Sequence, residues 1–420
     1  MEDWKYILLN GKSKYVRVKN PVFDKGVLTS IDDLTPFDKK DDNDKDIEPT
    51  VDDANAVKRK QYNEFFKKPF KNLLVLSGAG SSMDVGGLSM WHLWQATKEK
   101  YKIEKTADTE EIDGLKLICK KVNFDKKETN LELLLSQIDG IIKYANDPDI
   151  TIGAEIKKLS VIKDEIFKLI KEKCTIPQPT DTFPHKIFLE KLLQRKQTNP
   201  RIKVFTLNYD LLFEYAATEV NAIVIDGFSF TFPRTFSGRY FDYDIVQRED
   251  SKLKEEDNFI QRVFHLHKLH GSLDWERDEK DKKVRIKENL DKPLIIYPRE
   301  AKYEDSYEQP FFEMMARFQR NLRINNDTLL ICVGYSFNDK HINAAIEEAL
   351  NQNPGFRLAV INPEFDKDET SNSLKAIKKE ALNSDRIILI SETFTDFVNH
   401  FPELKTYDSK NQDQIDLNNG

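Results

Sequence analysis

Only three cysteines occur among the 420 residues, Cys119, Cys174 and Cys332, and no two are close enough to form a CxxC pair. This argues against a disulfide framework and against a cysteine zinc ribbon. Long hydrophobic runs are also missing. The longest, such as Leu73 to Leu76 and Leu329 to Val333, fall far short of the ~20 residues that span a bilayer, so no membrane segment is expected. The opening MEDWKYILLNGK lacks a basic region followed by an apolar stretch and a small-residue cleavage site, which makes the cytoplasm the expected location. Positive charge is not in excess: 65 Lys and Arg face 72 Asp and Glu, for a net charge of -7. A polyanion has no general reason to bind, and no direct nucleic-acid contact is expected. No internal repeat of ~20–50 residues is visible, which sets aside solenoids and propellers.

What is present suits a globular core under a solvated surface, with 39% hydrophobic and 33% charged residues. Short runs rich in Val, Ile and Leu recur at Leu73 to Ser77, Ile202 to Thr206, Ala222 to Ile225, Val263 to Leu269, Leu294 to Tyr297, Thr328 to Val333, Arg357 to Ile361 and Arg386 to Ile390. Each reads as a buried strand. Helical spacing lies between several of them, at Phe311 to Leu322, His341 to Asn351, Ser373 to Leu382 and Thr395 to Phe401. This alternation predicts an α/β fold with a doubly wound parallel, Rossmann-like sheet. From about 90 to 200 it breaks: Leu131 to Tyr144, Ile156 to Cys174 and Pro184 to Arg195 read as helices without intervening strands, a large helical insertion. Asn130 is the expected cap of the first, and Leu131, Leu134, Leu135 and Ile138 form its apolar stripe. Residues 38 to 53 are almost free of apolar side chains and read as an acidic mobile segment. The expected organisation is an N-terminal extension over 1–70, a catalytic domain over 71–405 and a polar tail over 406–420.

Five strand ends carry the candidate chemistry. In the first, an apolar strand runs into Gly78, Ala79, Gly80, Ser81 and Ser82, where glycines let backbone N–H groups approach a phosphate. Met83 stands where GxGxxG needs a third glycine, and no GK[ST] follows, so a standard dehydrogenase or P-loop ATPase is disfavoured. A purely structural tight turn is the alternative. The second strand ends in Thr206, Leu207, Asn208, Tyr209 and Asp210; Asn208 and Asp210 either share a site or cap the following helix. The third closes on His270 and Gly271, and a histidine at a strand terminus can exchange protons near neutral pH. His265 and His267 are expected on the opposite face, packed or exposed rather than metal-binding, because no third ligand stands out. Gly334, Tyr335 and Ser336 follow the fourth strand, and Asn362 the fifth. In a doubly wound sheet all five ends converge on one edge.

Together and in this order, Gly78-Ala79-Gly80-Ser81-Ser82, Thr206-Leu207-Asn208-Tyr209-Asp210, His270-Gly271, Gly334-Tyr335-Ser336 and Ile361-Asn362 resemble the sirtuin family. Its members carry a GAGxS loop, a T-x-N-x-D strand end, a His-Gly pair, a G-x-S loop and a strand ending in Ile-Asn. The family's four-cysteine zinc module and PDFR-like segment are missing; GGLSMW stands in place of the latter, and Leu207 replaces the glutamine before the asparagine. In these respects the chain resembles the sirtuin-like NAD hydrolases of bacterial anti-phage systems that work with a HerA-like ATPase. The resemblance implies NAD as substrate and no metal. Gly78, Ala79, Gly80 and Ser82 would hold the pyrophosphate, Gly334 and Ser336 phosphate or adenosine ribose, and Asn362 the adenosine ribose, with Thr206 in the same pocket. Asp210 would engage the nicotinamide carboxamide, Asn208 would position water and ribose, and His270 would act as base or ribose anchor. It further implies a homo-oligomer joined to a HerA-like ATPase. Protein deacylation, ADP-ribosyl transfer and non-catalytic nucleotide sensing are the competing activities.

Overall fold

The computed structural model describes residues 3–40, 46–104, 112–125, 129–196, 199–246, 259–288, 290–295, 309–323, 327–368 and 370–404. Ten strands make the central sheet: β1 (Trp4–Leu9), β2 (Tyr15–Lys19), β3 (Asp33–Thr35), β4 (Asn72–Ser77), β5 (Ile202–Thr206), β6 (Ile223–Ile225), β7 (Val263–Lys268), β8 (Thr328–Val333), β9 (Phe356–Ile361) and β10 (Ile387–Ile390). Their order across the sheet is β6-β7-β5-β4-β8-β9-β10-β1-β2-β3. From β6 to β10 all neighbours are parallel. β1, β2 and β3 close the far edge antiparallel.

The helices among the described residues are α1 (Val51–Lys67), α2 (Met90–Lys100), α3 (Gly114–Lys121), α4 (Leu131–Tyr144), α5 (Leu159–Cys174), α6 (Pro184–Leu192), α7 (Leu212–Glu219), α8 (Phe311–Leu322), α9 (Lys340–Gln352), α10 (Asn372–Ala381) and α11 (Phe394–His400). None is long and apolar enough to cross a membrane. Every residue of β4, β7, β8 and β10 is buried, as expected of parallel strands covered on both faces. Alternate side chains serve the two faces. Val75, Val204 and Ile331 join Phe65, Phe188, Phe213 and Phe397 in the core beneath α1, α6, α7 and α11. Leu74, Phe205, Leu330 and Val360 join Met314, Phe318, Ile346 and Ile377 beneath α8, α9 and α10. The fold is a doubly wound, mostly parallel α/β sheet.

Between α2 and α5 a third core forms from Leu93, Leu115, Leu131, Leu134, Leu135, Ile138, Ile162 and Ile166. The apolar stripe of α4 is thus buried within the chain itself. Asn130 caps this helix as expected, its Oδ1 accepting from the N–H groups of Glu132 and Leu133 at 2.9 and 3.2 Å. The insertion is not wholly helical, however. Two hairpins interrupt it, Lys102–Ile103 with Ile112–Asp113 and Asp149–Ile152 with Glu155–Lys158. Ile156, expected to open a helix, lies exposed in the second, and α5 starts only at Leu159. Gly153, at φ 62°, makes the turn between those strands, a conformation that favours glycine. Arg195 lies beyond the end of α6. Of the expected strand at Leu294 to Tyr297, Ile295 bridges to Gly271, and residues 296 and 297 fall outside the described residues.

The first 70 residues are bound into the sheet, since β1 pairs with β10 and α1 packs in the same core. Residues 41–45 of the acidic segment fall outside the described residues, as does the 406–420 tail. The end of the acidic segment is helix: Thr50 Oγ1 accepts from the Asp53 N–H at 3.2 Å and Asp53 Oδ2 from the Thr50 N–H at 3.1 Å. This capping box satisfies two donors that a helix start leaves open, so the charge pattern there marks a helix N-terminus as well as a solvated surface.

Candidate active site

Register aligns Lys268, Thr206, Ser77, Val333 and Ile361 side by side at the C-terminal ends of β7, β5, β4, β8 and β9. Beyond them the backbone ladder continues for one more step. Leu269 donates to the Thr206 carbonyl at 2.9 Å, Leu207 to Ser77 at 2.9 Å, Gly78 to Val333 at 3.0 Å, Gly334 to Ile361 at 3.4 Å and Asn362 to Ile390 at 3.0 Å. All five predicted segments therefore leave the sheet on one edge. Because β4 is central and the chain moves first to β5 and later to β8 on its other side, this is where a doubly wound sheet opens its crevice.

The glycine loop and the β8 loop touch backbone to backbone. Gly80 donates its N–H to the Gly334 carbonyl at 2.9 Å. A Cβ on Gly78 would lie 2.7 Å from that same oxygen, and one on Gly334, which sits at φ 61°, only 2.1 Å from the Ser81 nitrogen. The glycines are thus required first for contact between loops, where the sequence suggested approach to phosphate. Within the loop the Ser81 and Ser82 N–H groups are also bonded internally, to Gly78 and Ala79 carbonyls. Ala79 stands exposed at the rim.

Asn208 ties this loop to β5. Its Nδ2 donates to the Gly78 carbonyl at 3.1 Å, to Ser81 Oγ at 3.3 Å and to Ser82 Oγ at 2.8 Å, while its N–H donates to Thr206 Oγ1 at 3.1 Å. Its Oδ1 takes no part in those contacts and is the amide atom left to accept from a ligand or water. Ser82 Oγ in turn donates to Asp210 Oδ2 at 2.7 Å, and Asp210 Oδ1 accepts from the Leu212 N–H at 3.1 Å. Asp210 therefore anchors the loop and accepts from the first N–H of α7, whose N-cap is Leu211. Ser336 is exposed at the rim. Asn362 Oδ1 accepts from the Glu364 N–H at 2.8 Å and shapes the turn after β9.

His270 lies two residues past β7. Its Nε2 meets Asp339 Oδ2 at 3.2 Å. Asp339 is the N-cap of α9, with Oδ1 accepting from His341 and Ile342 N–H groups at 2.9 and 3.1 Å. Glu132, in the first turn of α4, accepts from the Tyr209 hydroxyl at 2.8 Å. Burial opposes the charge on His270, but the Asp339 hydrogen bond and charge, with the field of Glu132, hold its pKa above the usual 6.5. Burial likewise pushes the Glu132 carboxyl upward, against the pull of His270 and Tyr209. For Asp339 burial is outweighed by the His270 hydrogen bond and charge and by the two N–H groups, which lower its pKa. Sequence reasoning missed Glu132, Tyr209 and Asp339. Asp339 did carry a signal, a short acid directly before a helix and just after the glycine loop of β8. Glu132 carried none, being delivered from the insertion.

His265 and His267 are packing residues. His267 stacks between Phe205 and Phe241, at centroid distances of 4.5 and 4.1 Å. Among the described residues no three His, Cys, Asp or Glu side chains gather as a group able to hold a metal.

Residues 202–398 match the SIR2-like domain. The match begins at β5 and ends in α11, and so includes Asn208, Asp210, His270, Gly334 and Asn362. β4 and its glycine loop precede it and are joined to it by the hydrogen bonds above. No curated protein matches the chain. Similar solved structures include a Sir2 homologue variant in complex with ADP-ribose, 13% identical and covering 80% of this chain and 95% of its own, at a TM-score of 0.36. Another addresses sirtuin substrate affinity, 12% identical, covering 81% and 96%, at 0.39. At such low overlap the roles of individual residues rest on the contacts of this chain alone.

Proposed function

We propose that the chain hydrolyses NAD at the bond between ribose and nicotinamide. Water adds to the ribose carbon, nicotinamide leaves with the bonding electrons, and ADP-ribose and a proton are released. The observation that carries this reading is the meeting of Gly78–Ser82, Asn208, His270 and the Gly334 loop on one sheet edge within the bounds of, or bonded to, a SIR2-like domain. Cleavage passes through a ribosyl cation with oxocarbenium character, so the site needs fixed dipoles and negative charge near the ribose rather than a strong nucleophile. Asn208 Oδ1 would hold the attacking water or a ribose hydroxyl, and His270 would take up the proton. Ala79, Gly80 and Ser82 would face the pyrophosphate, with Gly334 and Ser336 beside phosphate or ribose. Asn362 would face the adenosine ribose. Asp210, already anchoring Ser82, would meet the carboxamide with its remaining lone pairs.

In a cell this reaction would deplete NAD, and with a HerA-like ATPase the chain would serve as an anti-phage effector. Assembly into a homo-oligomer belongs to the same proposal, although the α4 stripe no longer supports it. Light-scattering mass with NAD turnover over a dilution series tests it; a monomer of constant activity per chain removes it. The central experiment incubates purified protein with NAD, with and without an acylated peptide. Equal release of nicotinamide and ADP-ribose in both is expected. Turnover only with peptide would make the chain a deacylase or transferase, and binding without turnover a nucleotide sensor.

A further inference from the structure

His270 has two ring nitrogens, and the fold commits one of them. Nε2 faces Asp339 Oδ2 at 3.2 Å, whereas no described residue meets Nδ1. Asp339 is itself held on both sides, since its other oxygen caps α9 through two N–H groups. The ring is mostly enclosed, with 15% of the side chain exposed. From the insertion, α4 adds a second acid, Glu132, held by the Tyr209 hydroxyl between Asn208 and Asp210. The charged groups that act on His270 are therefore Asp339 ahead of α9, in direct contact, and Glu132 at the start of α4, through its field.

Resting on the hydrolase reading above, we infer that Asp339 is a positioning residue that fixes His270 as the Nε2–H tautomer, leaving Nδ1 as the atom that accepts the proton. A neutral imidazole can be an acceptor at only one nitrogen, and the hydrogen bond at the other decides which. An anionic carboxylate at Nε2 also makes the imidazolium formed during reaction more stable, so the base is stronger than an unassisted histidine. The order along the relay is Asp339, His270, then water or ribose hydroxyl. One proton moves to Nδ1 as the ribosyl cation is captured, and it leaves to solvent afterwards.

Asp339→Asn separates this role from a structural one, because asparagine is as good a helix cap as aspartate yet carries no charge. The first measurement uses histidine-selective 15N labelling of the full chain, with His270→Gln identifying the His270 signals. In the wild type, Nε2 should carry the proton of the neutral ring and the midpoint should lie above 6.5. Asp339→Asn should lower that midpoint, and Glu132→Gln should lower it less. A neutral His270 protonated at Nδ1, or a midpoint unmoved by Asp339→Asn, overturns the inference whether or not the chain cleaves NAD. The second measurement is NAD turnover against pH. The variant's kcat should fall about tenfold or more, with KM changed by less than about twofold and the acid limb displaced to lower pH. A wild-type kcat and acid limb in Asp339→Asn would overturn it as well. Failure of the wild type to cleave NAD under any condition would refute the hydrolase reading, while the tautomer would still be decided by the labelling experiment.

Discussion

Asn208 and His270 each stand at the crevice on the edge of the sheet and belong to no apolar core. Asn208→Ala and His270→Ala are therefore expected to lose nicotinamide release by about 100-fold or more while remaining folded, Asn208→Ala with a lower melting midpoint because it removes the Nδ2 bonds to Gly78, Ser81 and Ser82, checked by turnover and circular dichroism on the same samples. Near-normal turnover in either would remove the assigned roles. The buried histidines behave differently. His185 is enclosed by Phe213 and Phe394, at 4.9 and 5.2 Å between ring centroids, and neither ring nitrogen has a hydrogen-bond partner. Burial pushes its pKa down to about 4 and that of His265 to about 3. Both rings stay neutral in the folded chain while the unfolded chain takes up protons below 6.5, so stability is complete above that pH and lost as pH falls towards the folded values. Each such histidine should cost about 1.4 kcal/mol per pH unit in that window. His185→Phe should flatten the acid side of the stability curve measured by denaturant at several pH values; an unchanged slope would contradict this. At this scale the sequence revealed residues placed at strand ends, Asn208 and His270 among them. It could not reveal Asp339 as the partner of His270 or Glu132 as that of Tyr209, because only the folded chain brings residues so far apart in sequence together.

Among elements, the contact of the β4 and β8 loops is the one with least room for change. At Gly334 a methyl group would both occupy a left-handed backbone and collide with the Ser81 nitrogen, whereas at Gly86, φ 93°, nothing lies within 4 Å of the new carbon. Gly334→Ala should therefore destabilise by about 3 kcal/mol or more and misplace Ser81 and Ser82, while Gly86→Ala should cost only about 1 kcal/mol of backbone strain. Equal midpoints for the two variants in urea would show that the loops yield easily. Strands and helices of the sheet were legible because uninterrupted Val, Ile and Leu runs alternate with helical spacing. The hairpin at Asp149–Ile152 and Glu155–Lys158 was not, since its four-residue strands offer too few alternations beside a strongly helical sequence.

For the whole molecule, the strands added by the N-terminus were the largest feature hidden from the sequence. β2, with its alternate burial over five residues, and β3, of three, are too short to stand out without a partner. Their attachment also depends on a buried ion pair. Lys58 of α1 reaches under the sheet edge to Glu392, with Nζ 3.1 Å from Oε1 and both side chains at 4% exposure or less. The same ammonium donates to the Ser391 carbonyl at 3.1 Å. Arg59 approaches the carboxylate only to 3.8 Å, so Lys58 is its principal partner. Burial lowers the Lys58 pKa, and the Glu392 charge resists that fall. Removing one member of such a pair strands the other charge out of water, a loss of about 3–5 kcal/mol, whereas replacing both by apolar groups is often neutral. Lys58→Met alone should therefore destabilise the entire sheet by that amount, and Lys58→Met with Glu392→Leu should recover most of it. Denaturant midpoints followed by Trp4 fluorescence at the N-terminal edge, taken as the difference between each protein and its Trp4→Phe counterpart, and by circular dichroism for the whole chain read the result. A single coincident transition in every variant is expected, because β1 is hydrogen-bonded to β10 and shares its core. An early separate loss of the Trp4 signal would instead show the first 70 residues to be an independently melting unit.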